Sequence, residues 1–159
     1  MKKIIFIFFI FTSLSHAIEV TCNFEEVYAN SDIQQGIFLL KNKKLRYEYY
    51  DRELFTIIAK NENFYLIHRA HKNNVQKIQD NTEILDMFMK ISSDFPNIKN
   101  YYEIESIKVK VEKDSYNFIK RISINSEKVN VSVNIMNCKY ENINNKYFKL
   151  FDFQNLKLK

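Results

Sequence analysis

Apolar and polar residues alternate along much of this chain. Leu45, Tyr47 and Tyr49 share one parity, with Lys44, Arg46 and Glu48 between them. Ile107, Val109 and Val111 alternate with Lys108, Lys110 and Glu112. Val129, Val131, Val133 and Ile135 alternate with Lys128, Asn130, Ser132 and Asn134. A period of two predicts antiparallel strands with one apolar and one wet face. On that pattern Leu45, Tyr47 and Tyr49 point inward, while Arg46 and Glu48 face solvent. Residues 20–28, 33–40, 54–60, 63–69, 74–78 and 115–124 read as further strands, with polar turns at Asn61-Glu62-Asn63 and Asn125-Ser126-Glu127.

One segment departs from period two. Across 82–91 (TEILDMFMKI), Ile84, Leu85, Phe88 and Ile91 recur at helical spacing. Thr82 is placed to cap this helix and Pro96 follows its end. Met87 and Met89 add flexible apolar volume. The fold class expected is therefore α+β, mainly β, with an antiparallel sheet and one covering helix.

The N-terminus reads differently. Lys2 and Lys3 precede an unbroken apolar run, Ile4 to Phe11, and Ser15 and Ala17 are small residues at signal-peptidase positions. This is the pattern of a secretory signal peptide over 1–17, cleaved after Ala17. The apolar run falls short of the about 20 residues a transmembrane helix needs. The remaining residues, 18–159, suit a single domain. Export to an oxidising compartment changes the meaning of the only two cysteines. Cys22 and Cys138 are expected to form a disulfide, two separate buried thiols being the alternative. The net charge of +5 falls by two when Lys2 and Lys3 leave, too small and too scattered a surplus to favour a nucleic-acid partner.

Composition excludes much catalysis. A single Gly, Gly36, cannot build a phosphate-cradling loop, a dinucleotide fingerprint or a nucleophile elbow. His68 and His71 would lie on opposite faces of a strand and lack further ligands. The carboxylates Glu25-Glu26, Asp51, Glu53, Glu103, Glu105 and Asp152 read as solvated surface groups. No enzyme activity, metal or cofactor is expected. The chain is nevertheless 15% aromatic without any Trp, and 37–40, 55–58 and 64–67 are nearly continuous apolar runs. Such strands are covered on both faces, either by a well-filled core or by a core on one side and a ligand groove on the other.

Several of these segments together resemble the periplasmic outer-membrane lipoprotein carrier (LolA-type) family. Gly36-Ile37-Phe38-Leu39-Leu40-Lys41, a turn, then Leu45-Arg46-Tyr47-Glu48-Tyr49 is similar to that family's Gly-led strand and the "[FL]-R-W-E-Y"-like strand after it. Phe55 to Ala59 and Phe64 to Ile67 resemble its next hairpin, 82–91 falls at its lid helix, and Asn142-Ile143 with Phe148 to Phe153 resembles its ending. The chain differs in starting on a strand rather than a long helix, in having Asn42-Lys43 for Arg-Pro, and in having Asn61-Glu62-Asn63 for an Asp-Gly turn.

The resemblance implies that the antiparallel sheet is curved into an open half-barrel, with acyl chains held between lid and sheet. The implied lipid-binding residues are Leu45, Tyr47, Tyr49, Ile57, Tyr65, Met87, Phe88 and Met89. It further implies a soluble periplasmic monomer that carries lipoprotein or other lipid-like cargo from an inner-membrane export complex to an outer-membrane acceptor. The competing expectation is an exported protein–protein interaction module, such as an inhibitor, with no lipid cargo. Helix 82–91 is then either a separable lid or a fixed part of the core.

Overall fold

A computed structural model describes residues 19–68, 75–79, 83–94, 97–116, 118–127 and 129–150. The expected signal peptide, Thr82, Pro96, His71 and Asp152 lie outside these residues. Among them the chain forms strands β1 (Glu19–Tyr28), β2 (Ile33–Lys41), β3 (Lys44–Tyr49), β4 (Phe55–Lys60), β5 (Asn63–His68) and β6 (Val75–Ile78). Helix α1 (Glu83–Ser93) follows, then β7 (Tyr101–Ile104), β8 (Ile107–Lys113), β9 (Ile119–Asn125), β10 (Asn130–Tyr140) and a 3-10 turn at Asn145–Phe148. No helix among the described residues is long and apolar enough to cross a membrane.

All ten strands join one antiparallel, curved and open sheet in the order β6-β5-β4-β3-β2-β1-β10-β9-β8-β7. Two meanders thus meet where β1 pairs with β10. The strands on either side of α1 in sequence, β6 and β7, are the two outer edges of the sheet. The connection that carries α1 must cross from one edge to the other, and α1 packs on the concave face. Its Met87 and Ile91 are buried with Phe24, Tyr47, Val109, Val111, Ile122 and Val133.

Local chemistry explains most strand ends. The β2–β3 hairpin turns at Asn42-Lys43 and the β4–β5 hairpin at Asn61-Glu62, with φ of 46° and 63°, and 52° and 61°. Two-residue hairpin turns need this left-handed backbone, and Asn tolerates it better than most residues. Strand β9 begins four residues later than alternation predicts. The Asp114 side chain accepts hydrogen bonds from the backbone N–H of Tyr116 and Phe118, which folds the preceding residues into a turn. Strand β7 is short and pairs only with β8, and its pattern is too brief to stand out in the sequence.

The alternation of β3 is correct in parity but wrong about solvent. Tyr47 and Tyr49 lie on the concave face, yet Arg46 and Glu48 are also buried, at 2% and 8% exposure. Over β2 and β3 the second face of the sheet is covered by residues 143–148. Ile143 and Phe148 pack on Leu39 of β2, with Ile37 and Tyr147 beside them. That segment is held by polar contacts at its start. The Ile143 N–H donates to Glu19 at 2.7 Å, and Lys41 donates to the Ile143 carbonyl at 2.6 Å while pairing with Glu19 at 3.0 Å.

Gly36, the single glycine, sits where β2 must pass close to its neighbours. A Cβ there would run into the backbone carbonyl oxygen of Glu48 and the ring of Phe24. The carbonyl belongs to the ladder and cannot swing away. Gly36→Ala should therefore lower stability by about 1–3 kcal/mol, the range for overpacking a filled site. A urea midpoint indistinguishable from wild type would contradict this packing.

Candidate functional site

The concave face has an apolar end and a polar end. At the apolar end, a cavity of about 90 Å³ lies between the sheet and the C-terminal half of α1. Phe38, Leu45 and Tyr47 form one wall, Phe88 and Ile91 the helix wall, and Ile122 and Ile135 the far wall. Phe118 and Tyr140 stand at its rim, both exposed, with ring centroids 5.7 Å apart. The cavity is smaller than the roughly 150 Å³ apolar hole that accommodates a benzene in a well-studied protein.

The disulfide forms part of this wall. Cys22 and Cys138 are bonded, with Cα atoms 4.1 Å apart. The β1–β10 register jumps here: Thr21 opposes Lys139 and Asn23 opposes Met136. Two residues of β10 thus face Cys22, and Asn137 takes a left-handed φ of 52° to make the bulge. The bulge brings the Cys138 sulfur to Cys22 and turns the end of β10, with Tyr140, toward the cavity rim.

At the polar end, Glu26 is 7% exposed, a correction to its reading as a surface carboxylate. It shares the inward parity of Cys22 and Phe24, which is the sequence signal that places it inside. Three hydroxyls donate to its carboxylate: Tyr28 at 2.7 Å, Tyr47 at 2.8 Å and Tyr49 at 3.0 Å. The rings around it form an aromatic stack, with Phe24 on Tyr47 at 4.0 Å and edge-on to Tyr49 at 5.5 Å.

Burial, and next the Glu26 charge, hold the Tyr47 and Tyr49 hydroxyls well above the ordinary tyrosine range. Tyr28 is pushed up to about 12, by burial first and then by its bond to Glu26. The folded protein therefore keeps these protons above pH 10, where the unfolded chain releases them. Stability should be fully present below pH 10 and fall as pH rises from there toward 12, by roughly 1.4 kcal/mol per pH unit for each buried tyrosine. Urea unfolding across that window measures the slope, and Tyr47→Phe should make it shallower. A slope unchanged by that substitution would remove Tyr47 from the account.

The residues expected to bind lipid divide by location. Leu45, Tyr47 and Phe88 line the cavity. Tyr49 belongs to the Glu26 cluster, and Ile57, paired with Tyr47, packs against the main core. Met87 is buried at 1% exposure under α1, and Met89 packs on Leu45, Ala59 and Phe64. Tyr65 pairs with Ile58 and lies on the opposite face, with Arg46. In the continuous apolar run 64–67 neither parity is marked as the inner one. Conversely, Ile122 of β9, Phe118 just before it, and Ile135 and Tyr140 of β10 line the cavity without having been singled out as site residues, because local spacing does not show that these late strands come round beside β1.

Comparison with known proteins finds a likeness among solved structures. No protein-family model matches this sequence, and no curated protein matches it. A LolA superfamily protein from Nitrosomonas europaea is similar among solved structures. The overlay covers 84% of this chain and 90% of that chain, at 8% identity and a TM-score of 0.44. An overlay at that level assigns neither a family nor an activity.

Proposed function

We propose that this protein is a non-enzymatic, exported carrier that shelters acyl chains between α1 and the concave face of its sheet. The sharpest form of the proposal is a periplasmic chaperone for lipoprotein acyl chains. It would load at an inner-membrane export complex and deliver to an outer-membrane acceptor. The observation that carries it is the apolar cavity walled by Phe38, Leu45, Tyr47, Phe88 and Ile91, under a helix that joins the two sheet edges. Burying an alkyl chain there contributes about 0.8 kcal/mol per methylene, so a long chain supplies affinity without catalytic groups. The disulfide supports an oxidising compartment. Opening of α1 is the loading step. Met87, Phe88 and Met89 are the helix residues that repack around the chain.

A second reading, an interaction module without lipid cargo, draws on edge strand β7, whose Tyr101 is 69% exposed. Native mass spectrometry of protein purified from exporting cells separates the two. The carrier reading expects adducts whose masses fit acyl-bearing molecules. A bare polypeptide mass, unchanged after incubation with lipid, favours the interaction module.

A further inference from the structure

The apolar cavity reaches solvent on one side. Most of its lining is buried or half-buried, but Phe118, Cys138 and Tyr140 are exposed, and they lie together beside the start of β9 and the end of β10. Tyr116, two residues before Phe118, is 78% exposed and takes no part in the cavity lining. Asp114 holds Tyr116 and Phe118 in one turn, since its side chain accepts their backbone N–H groups at 2.8 and 3.0 Å. Tyr140 is positioned by the bulge and by the disulfide two residues earlier. Three of the seven large apolar side chains exposed among the described residues are therefore held at one corner, around the cavity mouth.

This corner carries no excess of either charge. The charged residues within two positions of the three rings are Asp114, Lys120, Lys139 and Glu141, two of each sign. Nearby, Lys113 donates to the Ile98 carbonyl at 2.9 Å, and Lys41 pairs with Glu19. Such a surface has no strong field with which to select a charged partner. What it offers is apolar area that opens directly into an apolar cavity, with phenol hydroxyls at the edge. Tyr rings collect where one end is apolar and the other wet, as at the water boundary of a bilayer. A lipid surface suits all three features: it covers the rings, requires no charged partner, and puts the mouth in contact with hydrocarbon.

We infer that the Tyr116–Phe118–Tyr140 corner docks this protein on a lipid surface with the cavity mouth facing the lipid. Acyl chains then pass between bilayer and cavity without crossing water. The inference rests on the acyl-carrier reading above and adds the surface with which the carrier exchanges its cargo.

Sucrose-loaded vesicles of dioleoyl phosphatidylcholine, pelleted with protein purified from exporting cells, measure the docking. The wild type should bind, and high salt should leave at least about half of that binding in place. Tyr116→Ser should lower the partition coefficient about threefold to tenfold, as expected for one ring lost from an apolar contact. Ile33 is 57% exposed at the start of β2, the end of that strand away from the cavity-lining Leu40, so Ile33→Ser should leave docking unchanged. Both variants should bind a dansyl-labelled fatty acid in free solution as the wild type does. A wild type that binds the fatty acid but not the vesicles would overturn the docking corner and leave the carrier reading standing. Equal losses in the two variants would also overturn it, as would binding that appears only with added phosphatidylglycerol and vanishes in salt. A wild-type dimer that Tyr116→Ser dissociates, seen by analytical ultracentrifugation, would assign the corner to a second copy instead and overturn it too. Vesicle binding without fatty-acid binding would keep the docking corner and remove the carrier reading.

Discussion

Arg46→Ala should lower the free energy of unfolding by about 3–5 kcal/mol, and Glu48→Ala by a similar amount. The two side chains lie on the same face of β3 and form an ion pair at 2% and 8% exposure. Arg46 Nε donates to the Glu48 carboxylate at 2.7 Å, and its guanidinium also donates to the Tyr147 carbonyl at 3.0 Å. Truncating either partner removes the opposite charge from a group that stays buried. Arg46 also ties the C-terminal segment to β3, so its loss should loosen Tyr147 and Phe148. The pair itself contributes little beyond a well-packed apolar alternative, because desolvation offsets the attraction between the charges. The double variant Arg46→Met, Glu48→Leu should therefore recover most of the stability that either alanine removes. Chemical denaturation of wild type, the two alanine variants and this double variant tests this. Single variants within 1 kcal/mol of wild type would place Arg46 in solvent.

Removing the disulfide should have an effect of comparable size. The bond joins residues 116 positions apart, so it restrains nearly all of the described chain in the unfolded state. Closing a loop of that length contributes about 5 kcal/mol in the chain-entropy account. Small domains are stable by only about 5–15 kcal/mol, so this is a large share of the total. A Cys22→Ala, Cys138→Ala protein should unfold at a markedly lower denaturant concentration. Cavity binding should weaken as well, because both sulfurs line the wall. An unfolding free energy within about 1 kcal/mol of wild type would mean that the β1–β10 ladder alone fixes this register.

Much of the architecture was legible in the sequence because it is written in local periodicity. The parity of Leu45, Tyr47 and Tyr49, the strands around 107–113 and 130–135, and the helix near 83–93 follow from spacing within a few residues. Cysteine number and the export pattern pointed to the disulfide. What local pattern could not show is cover supplied from far along the chain. Arg46 looks like a wet-face residue until Tyr147 and Phe148, about a hundred residues later, fold over it. Glu26 looks like one of a surface pair until three tyrosines from two strands meet its carboxylate. The cavity is less legible still. It needs α1, the β1–β10 bulge and the Phe118–Tyr140 rim together, and the bulge breaks the very alternation by which strands are recognised.

The proposed carrier works only if α1 can leave the sheet while the rest of the fold persists. Met87 and Ile91 are its deeply buried contacts, whereas Phe88 is half-buried at the cavity and meets Tyr47 edge-on at 6.0 Å. The most direct measurement is the binding of a dansyl-labelled fatty acid by wild type and by Phe88→Glu, with near-ultraviolet circular dichroism reporting the folded fraction. The wild type should bind saturably. The variant should remain folded and bind at least about tenfold more weakly, since a carboxylate then faces the acyl chain. A wild type that does not bind the probe, or a variant with no folded population, would contradict the account and make α1 a fixed piece of the core.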